Sequence, residues 1–236
     1  LLKNNGNQPA IIFRGEKGLR SELSFDELRN QVASVAKYLK EIGLKKNDCV
    51  AAFLPNCPEA IIAMLACSSL GIIWSSCSPD FGLEGVVDRF GQISPKLLIT
   101  ANAYLYNGQQ YESLTLVSKI VKRIPSIQNT LLVCFIDDDT EINFSVDETL
   151  WDDVISVKAD LEFIALPFDH PLYILYSSGT TGAPKCIVHG AGGTLIQHMK
   201  EHILHYDINS NDRLFYYTTC GWMMWNWMVS GLAAGA

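Results

Sequence analysis

Leu172-Tyr173-Ile174-Leu175-Tyr176 runs straight into Ser177-Ser178-Gly179-Thr180-Thr181-Gly182-Ala183-Pro184-Lys185. The apolar half reads as a buried strand, and the hydroxyl- and glycine-rich half as a loop carried off its end. Gly179 and Gly182 tolerate backbone angles closed to other residues, and with no side chain they leave their amides free to face an anion. Ser177, Ser178, Thr180 and Thr181 add hydroxyl donors, Pro184 restrains the exit and Lys185 brings a mobile positive charge. Stretches of this composition also form plain surface turns, since loops favour the same residues. The ordered string is more specific than its composition, and points to a loop that folds over a polyphosphate. It is not a Walker A loop, because the Gly-x-x-x-x-Gly-Lys-Ser/Thr order is absent. Lys185 to His189 alternates as a second strand, so the loop sits in a hairpin-like crossing above a sheet edge.

Upstream, strands and helices alternate. Ser24 with Glu27 three residues on has capping-box spacing, and Leu28, Val32, Val35, Ala36 and Leu39 recur at helical intervals up to Gly43. Strands are predicted over Cys49 to Leu54, Ile72 to Trp74, Lys96 to Thr100 and Leu131 to Ile136. Helices are predicted over Glu59 to Leu70, Leu83 to Phe90 and Tyr111 to Ile124. This spacing indicates an α/β fold of βαβ units around a mostly parallel sheet. A soft sub-boundary is expected near residues 165–171. Beyond the loop, Thr194 to Tyr206 reads as a helix with His198, His202 and His205 on one face, and Leu214 to Thr219 as a strand. The three histidines have zinc-compatible spacing, but nothing else of a metal signature accompanies them, so half-buried histidines are the expectation and no metal ligand is assigned. Asp137 to Glu141 lacks the glycine and alternation of a calcium loop and reads as a solvated turn.

The 236 residues carry a formal charge of -7, and no run of lysines or arginines appears. Nucleic acid is therefore not an expected partner, because backbone contacts demand clustered cations. Apolar runs fall short of the roughly 20 residues that span a bilayer. The seven cysteines form no Cys-x-x-Cys pair. Cys49, Cys67 and Cys134 sit among apolar neighbours and read as small buried hydrophobes. With no cationic-then-apolar leader at Leu1, a cytosolic protein is expected. The apolar finish, Met228 to Ala236, reads as a chain interrupted within a domain.

The Tyr176 to Lys185 string resembles the signature loop of the adenylate-forming acyl-CoA synthetases, with Cys186 where the family usually has glycine. Trp74-Ser75-Ser76-Cys77-Ser78-Pro79-Asp80-Phe81-Gly82 and Thr219-Cys220-Gly221-Trp222-Met223-Met224-Trp225-Asn226-Trp227 resemble the acetoacetyl-CoA synthetases, near relatives of the acetyl-CoA synthetases. The resemblance implies part of a large adenylation domain, without its carboxyl-terminal domain. It implies activation of acetoacetate with ATP and magnesium to an acyl-adenylate, then transfer to coenzyme A with release of AMP. Residues 177–185 would hold the outer phosphates. Both nucleophiles are substrates, so no catalytic residue is expected here, and no Gly-x-Ser-x-Gly elbow is present.

Gly221, Trp222, Met223 and Met224 are candidates for the acyl and coenzyme A pocket, because α/β sheets bind ligands beyond the carboxyl ends of their strands. An aromatic and methionine stripe can equally be core. His189 is given a supportive place near the nucleotide. Met223 and Met224 depart from the small aliphatic residue and threonine of the acetate enzymes. Tyr106 and Gln109 stand where those enzymes carry two arginines for coenzyme A phosphates. The magnesium-binding glutamate, ribose-binding aspartate and adenylation lysine of the family have no counterpart here. These 236 residues alone are therefore expected not to turn over. Other readings are a different short- or medium-chain acyl-CoA synthetase, a non-catalytic nucleotide-binding module, or a phosphotransferase that releases ADP.

Overall fold

A computed structural model describes residues 1–136, 144–177 and 182–236. A hairpin of β1 (Pro9–Arg14) and β2 (Arg20–Ser24) leads into α1 (Phe25–Glu41). Ser24 caps that helix in both directions: its hydroxyl accepts from the Glu27 amide at 3.2 Å, and the Glu27 carboxylate accepts from the Ser24 amide at 2.8 Å. Next come β3 (Cys49–Phe53), α2 (Pro58–Ser69), β4 (Ile73–Cys77), α3 (Leu83–Phe90) and β5 (Leu97–Ala101). A second hairpin, β6 (Ala103–Tyr106) and β7 (Gln109–Glu112), precedes α4 (Leu114–Arg123), β8 (Asn129–Val133), β9 (Asp147–Leu150) and α5 (Trp151–Ser156). The chain continues through β10 (Pro171–Tyr176), β11 (Cys186–Gly190), α6 (Ala191–Met199) and α7 (Met223–Val229).

Among the described residues, seven strands form the central sheet in the order β11-β10-β4-β3-β5-β8-β9. Every pairing is parallel except that of β10 with β11, an antiparallel hairpin at one edge. The inner strands β3, β4, β5 and β8 are buried on both faces, with mostly apolar or small residues on each. Val50 and Ala52 of β3, with Leu54 just past it, enter the core beneath α1, α2 and α5, while Ala51 and Phe53 enter a second core with Val86 and Phe90 of α3 and Val117 and Ile120 of α4. The period of two thus feeds two helix layers from one strand.

Gly71 joins α2 to β4 at φ 65°, and its carbonyl accepts from buried His170 Nε2 at 2.9 Å. A Cβ added here would lie 2.7 Å from the Leu166 side chain. Gly71→Ala is therefore expected to cost about 2 kcal/mol, from the positive φ and the forced repacking together, as read by urea denaturation.

Five sequence readings are corrected. The helix expected from Tyr111 starts at Leu114, because residues 109–112 pair back onto 103–106 across Asn107-Gly108. Both turn residues have positive φ, 51° and 75°, the geometry Asn-Gly favours in two-residue hairpins. Leu214 to Thr219 pairs with no strand among the described residues, and Phe215 and Tyr217 are 80% and 88% exposed. The helix expected over Thr194 to Tyr206 is present, as α6 continued by a π-helix over Lys200–His205, but the three histidines do not share one environment: His205 is exposed while His198 and His202 are buried. Cys134 is exposed just past the end of β8, where Phe135 takes the core position instead. Cys49 is only half-buried, at the start of β3. The acidic stretch from Asp137 to Glu141 lies outside the described residues. No helix among those described is long and apolar enough to cross a membrane.

Candidate active site

The two ends of the glycine loop meet at the carboxyl end of β10. The Ser177 amide donates to the Lys185 carbonyl at 3.0 Å, and the Lys185 amide donates to Ser177 Oγ at 3.2 Å. Lys185 and Gly182 are exposed, Ser177 is half-buried and Pro184 is buried. Ser178, Gly179, Thr180 and Thr181 lie outside the described residues. Gln92, just after α3, holds the loop exit: its amide donates to the Pro184 carbonyl at 2.8 Å. The Arg89 guanidinium on α3 stands 4.4 Å from the centre of the Phe81 ring and 5.9 Å from that of Tyr176. Tyr176 itself bonds Ser75 Oγ at 2.9 Å, and burial holds its phenol well above its ordinary pKa.

The second sequence candidate arrives at the same end of the sheet. Ser76 on β4 donates to the Cys220 carbonyl at 2.6 Å, and Cys220 Sγ donates to the Leu54 carbonyl just past β3 at 3.0 Å. Gly221 lies against the end of β4, where an added Cβ would stand 3.5 Å from the Ser78 amide nitrogen. Asn56, in the turn after β3, accepts from the Trp225 indole N–H at 2.8 Å and donates to the Thr218 carbonyl at 3.4 Å. Residues 218–225 are thereby laid over the ends of β3 and β4, next to β10. An open cavity of about 480 Å³ is formed within this segment itself, lined by residues 216–219 and 222–224. Trp222 and Met223 are exposed into it and Met224 is half-buried.

His189 stands apart from the described exit of the loop. It lies four residues along β11 from Lys185, about 13 Å at the rise of a strand, and its ring packs on Tyr173 at 5.0 Å. Burial lowers its pKa, which favours a neutral packing group. Burial lifts the Cys220 thiol to about 12 and raises that of Cys186, so neither is a ready thiolate. Asn56, Arg89 and Gln92 were not singled out in the sequence. The Pro55-Asn56-Cys57-Pro58 turn directly after a strand is a usable signal for the first; for the other two, on and just past a helix, no sequence signal stands out.

Residues 2–236 match the family model described as AMP-binding enzyme, and the chain belongs to that family. Within it, the chain is 51% identical over its full length to the acetoacetyl-coenzyme A synthetase of Rhizobium meliloti and 47% identical to the acetoacetyl-CoA synthetase of Rattus norvegicus. It spans 36% of the length of each. The solved structure titled acetoacetyl-CoA synthetase from Streptomyces lividans superposes on 97% of this chain with a TM-score of 0.92 at 39% identity; the matched part is 35% of that protein.

Proposed function

We propose that this chain is part of an acetoacetate–CoA ligase. That enzyme joins acetoacetate to the α-phosphorus of ATP with loss of pyrophosphate, then passes the acyl group to the thiol of coenzyme A with release of AMP. The observation that carries the reading is the convergence of two elements beyond the carboxyl ends of adjacent strands. The base of the glycine loop stands on β10, and the segment that carries Trp222, Met223 and Met224 is tied to the ends of β3 and β4. A triphosphate at the first and a carboxylate at the second would place the attacking oxygen against the α-phosphorus.

In this reading residues 177–185 hold the β- and γ-phosphates, where charge grows as pyrophosphate departs, and Lys185 follows them as a mobile cation. Gly221 lets the chain lie close on β4, while Trp222 and the two methionines enclose the short acid. Methionine suits that task because it is apolar and adaptable in shape. Among the described residues no group of three His, Cys, Asp or Glu side chains is placed to hold a metal, so magnesium is assigned no protein ligand here and no step runs through one. The relatives named above support acetoacetate as the acid.

The test assays the full-length protein with ATP, coenzyme A and either acetoacetate, acetate, propionate or butyrate. AMP with acetoacetyl-CoA is the expected product, with acetoacetate the preferred acid and no turnover from the 236 residues alone. ADP as product would sink the adenylation mechanism, and acetate matching acetoacetate in kcat/KM would sink the substrate assignment.

A further inference from the structure

Behind the cavity wall, α7 is gripped by a polar knot that the proposed chemistry does not use. Ser230 Oγ, one residue past α7, donates to the Trp227 carbonyl at 2.6 Å. The same oxygen lies 2.9 Å from His198 Nδ1 and 2.8 Å from His202 Nε2, and all three side chains are buried. A hydroxyl has one proton and two lone pairs. With its proton given to Trp227, it can only accept from both rings, so His198 is the Nδ1–H tautomer and His202 the Nε2–H tautomer. His202 Nε2 also lies 3.0 Å from the Trp227 carbonyl. Its ring packs on the Trp227 indole at 4.4 Å, and that indole donates to Glu201 at 2.8 Å. Residues 198–202 thus hold α7 at its carboxyl end, while Asn56 holds Trp225 near the other. Met223 and Met224 are the first residues of α7.

We propose that Ser230, with His198 and His202, is a positioning group for acid binding: it fixes α7 along its axis and so sets where Met223 and Met224 stand in the cavity wall. The role rests on the acid site proposed above. A helix of seven residues has too few internal bonds to hold itself, so its place is set by whatever grips its ends.

The knot is built for neutral imidazoles. Burial lowers the pKa of His198 to about 4, with His202 and His189 adding to the effect against Glu201. Burial also lowers that of His202, against the Trp227 carbonyl and Glu201. These are the charged and titratable groups facing the pair, along with Lys200 beside Glu201. A second proton on His202 would sit on Nδ1, which is buried without a partner. The unfolded chain takes up protons near pH 6.5 and the folded one only lower, so the knot contributes fully above about pH 6.5 and its contribution falls as pH drops from there toward 4.

The test uses the full-length protein and its acid-dependent AMP formation. Ser230→Ala should raise the KM for the acid about tenfold and leave that for ATP within about twofold, as one buried hydrogen-bond hub is lost. Amide hydrogen exchange across residues 223–229 should quicken, and Ser230→Thr should restore both. The pair His198→Asn and His202→Gln keeps N–H donors at the Nδ1 and Nε2 positions. It should hold the acid KM and melt with a shallower loss of Tm from pH 6.5 to 4 than wild type. His198→Ala is the milder lesion if Ser230→Ala does not fold, with a smaller rise in acid KM alone. Equal changes in both KM values, or unchanged exchange in α7, would overturn the positioning role. A wild-type protein that adenylates no acid overturns the proposed function instead, and α7 exchange then decides the knot by itself.

Discussion

Lys185→Ala in the full-length protein is expected to lower kcat for acyl-adenylate formation by about a hundredfold, the usual effect of removing one donor aimed at developing charge. Its side chain is exposed at the loop exit, so little folding energy depends on it. The base of the loop is held by the amides of Ser177 and Lys185 and by Gln92 on the Pro184 carbonyl, none of which needs the ammonium group. Melting temperature should therefore stay within about 2 °C of wild type, the range of a surface change. Pyrophosphate exchange reads the chemical step directly, and Lys185→Arg should recover part of the rate, because charge is kept while reach and geometry change. The acid KM should hardly move, since the cavity at residues 216–224 is built from other side chains. Exchange at the wild-type rate in the alanine variant would remove Lys185 from the reaction.

Much of this arrangement was legible because the physics that sets it is local. The capping box at Ser24 and Glu27, the period of Leu28, Val32, Val35 and Leu39, and the apolar runs of β3 and β5 each report their own conformation. The hairpin of β10 and β11 follows from one apolar run, one glycine loop and one alternating run. What escaped depends on partners far along the chain. Leu214 to Thr219 has strand composition, yet composition cannot show that no neighbouring strand pairs with it. Residues 111–112 look helical in continuity with α4, although Asn107-Gly108 carried the turn signal that decides them. Ser230 sits in a small-residue apolar stretch, and only the four-residue spacing of His198 and His202 hinted that a buried polar group must meet them.

Trp225→Ala should be the most destabilising of the single changes considered, at about 3–5 kcal/mol and a Tm lower by about 10 °C, the range for emptying a large core site in a domain of this size. Trp225 is fully buried in the same core as α1 and α2, although it belongs to the segment that walls the cavity. Its indole N–H meets Asn56 at 2.8 Å, and Asn56 in turn holds the Thr218 carbonyl. Two effects are therefore superposed, lost volume and an orphaned acceptor, and Trp225→Phe separates them. Phenylalanine keeps most of the ring bulk and strands Asn56 Oδ1, for an expected cost of about 1–2 kcal/mol. Combining it with Asn56→Leu removes both partners of that bond. The double variant should then cost less than the sum of the singles, a coupling read as the non-additive part of a double-mutant cycle. The acid KM should rise in Trp225→Phe before ATP binding changes, because residues 218–224 lose their tether to the β3 end while the glycine loop keeps its own. Strict additivity in the cycle would mean that the core packing alone holds this segment, and that the turn after β3 has no part in shaping the site.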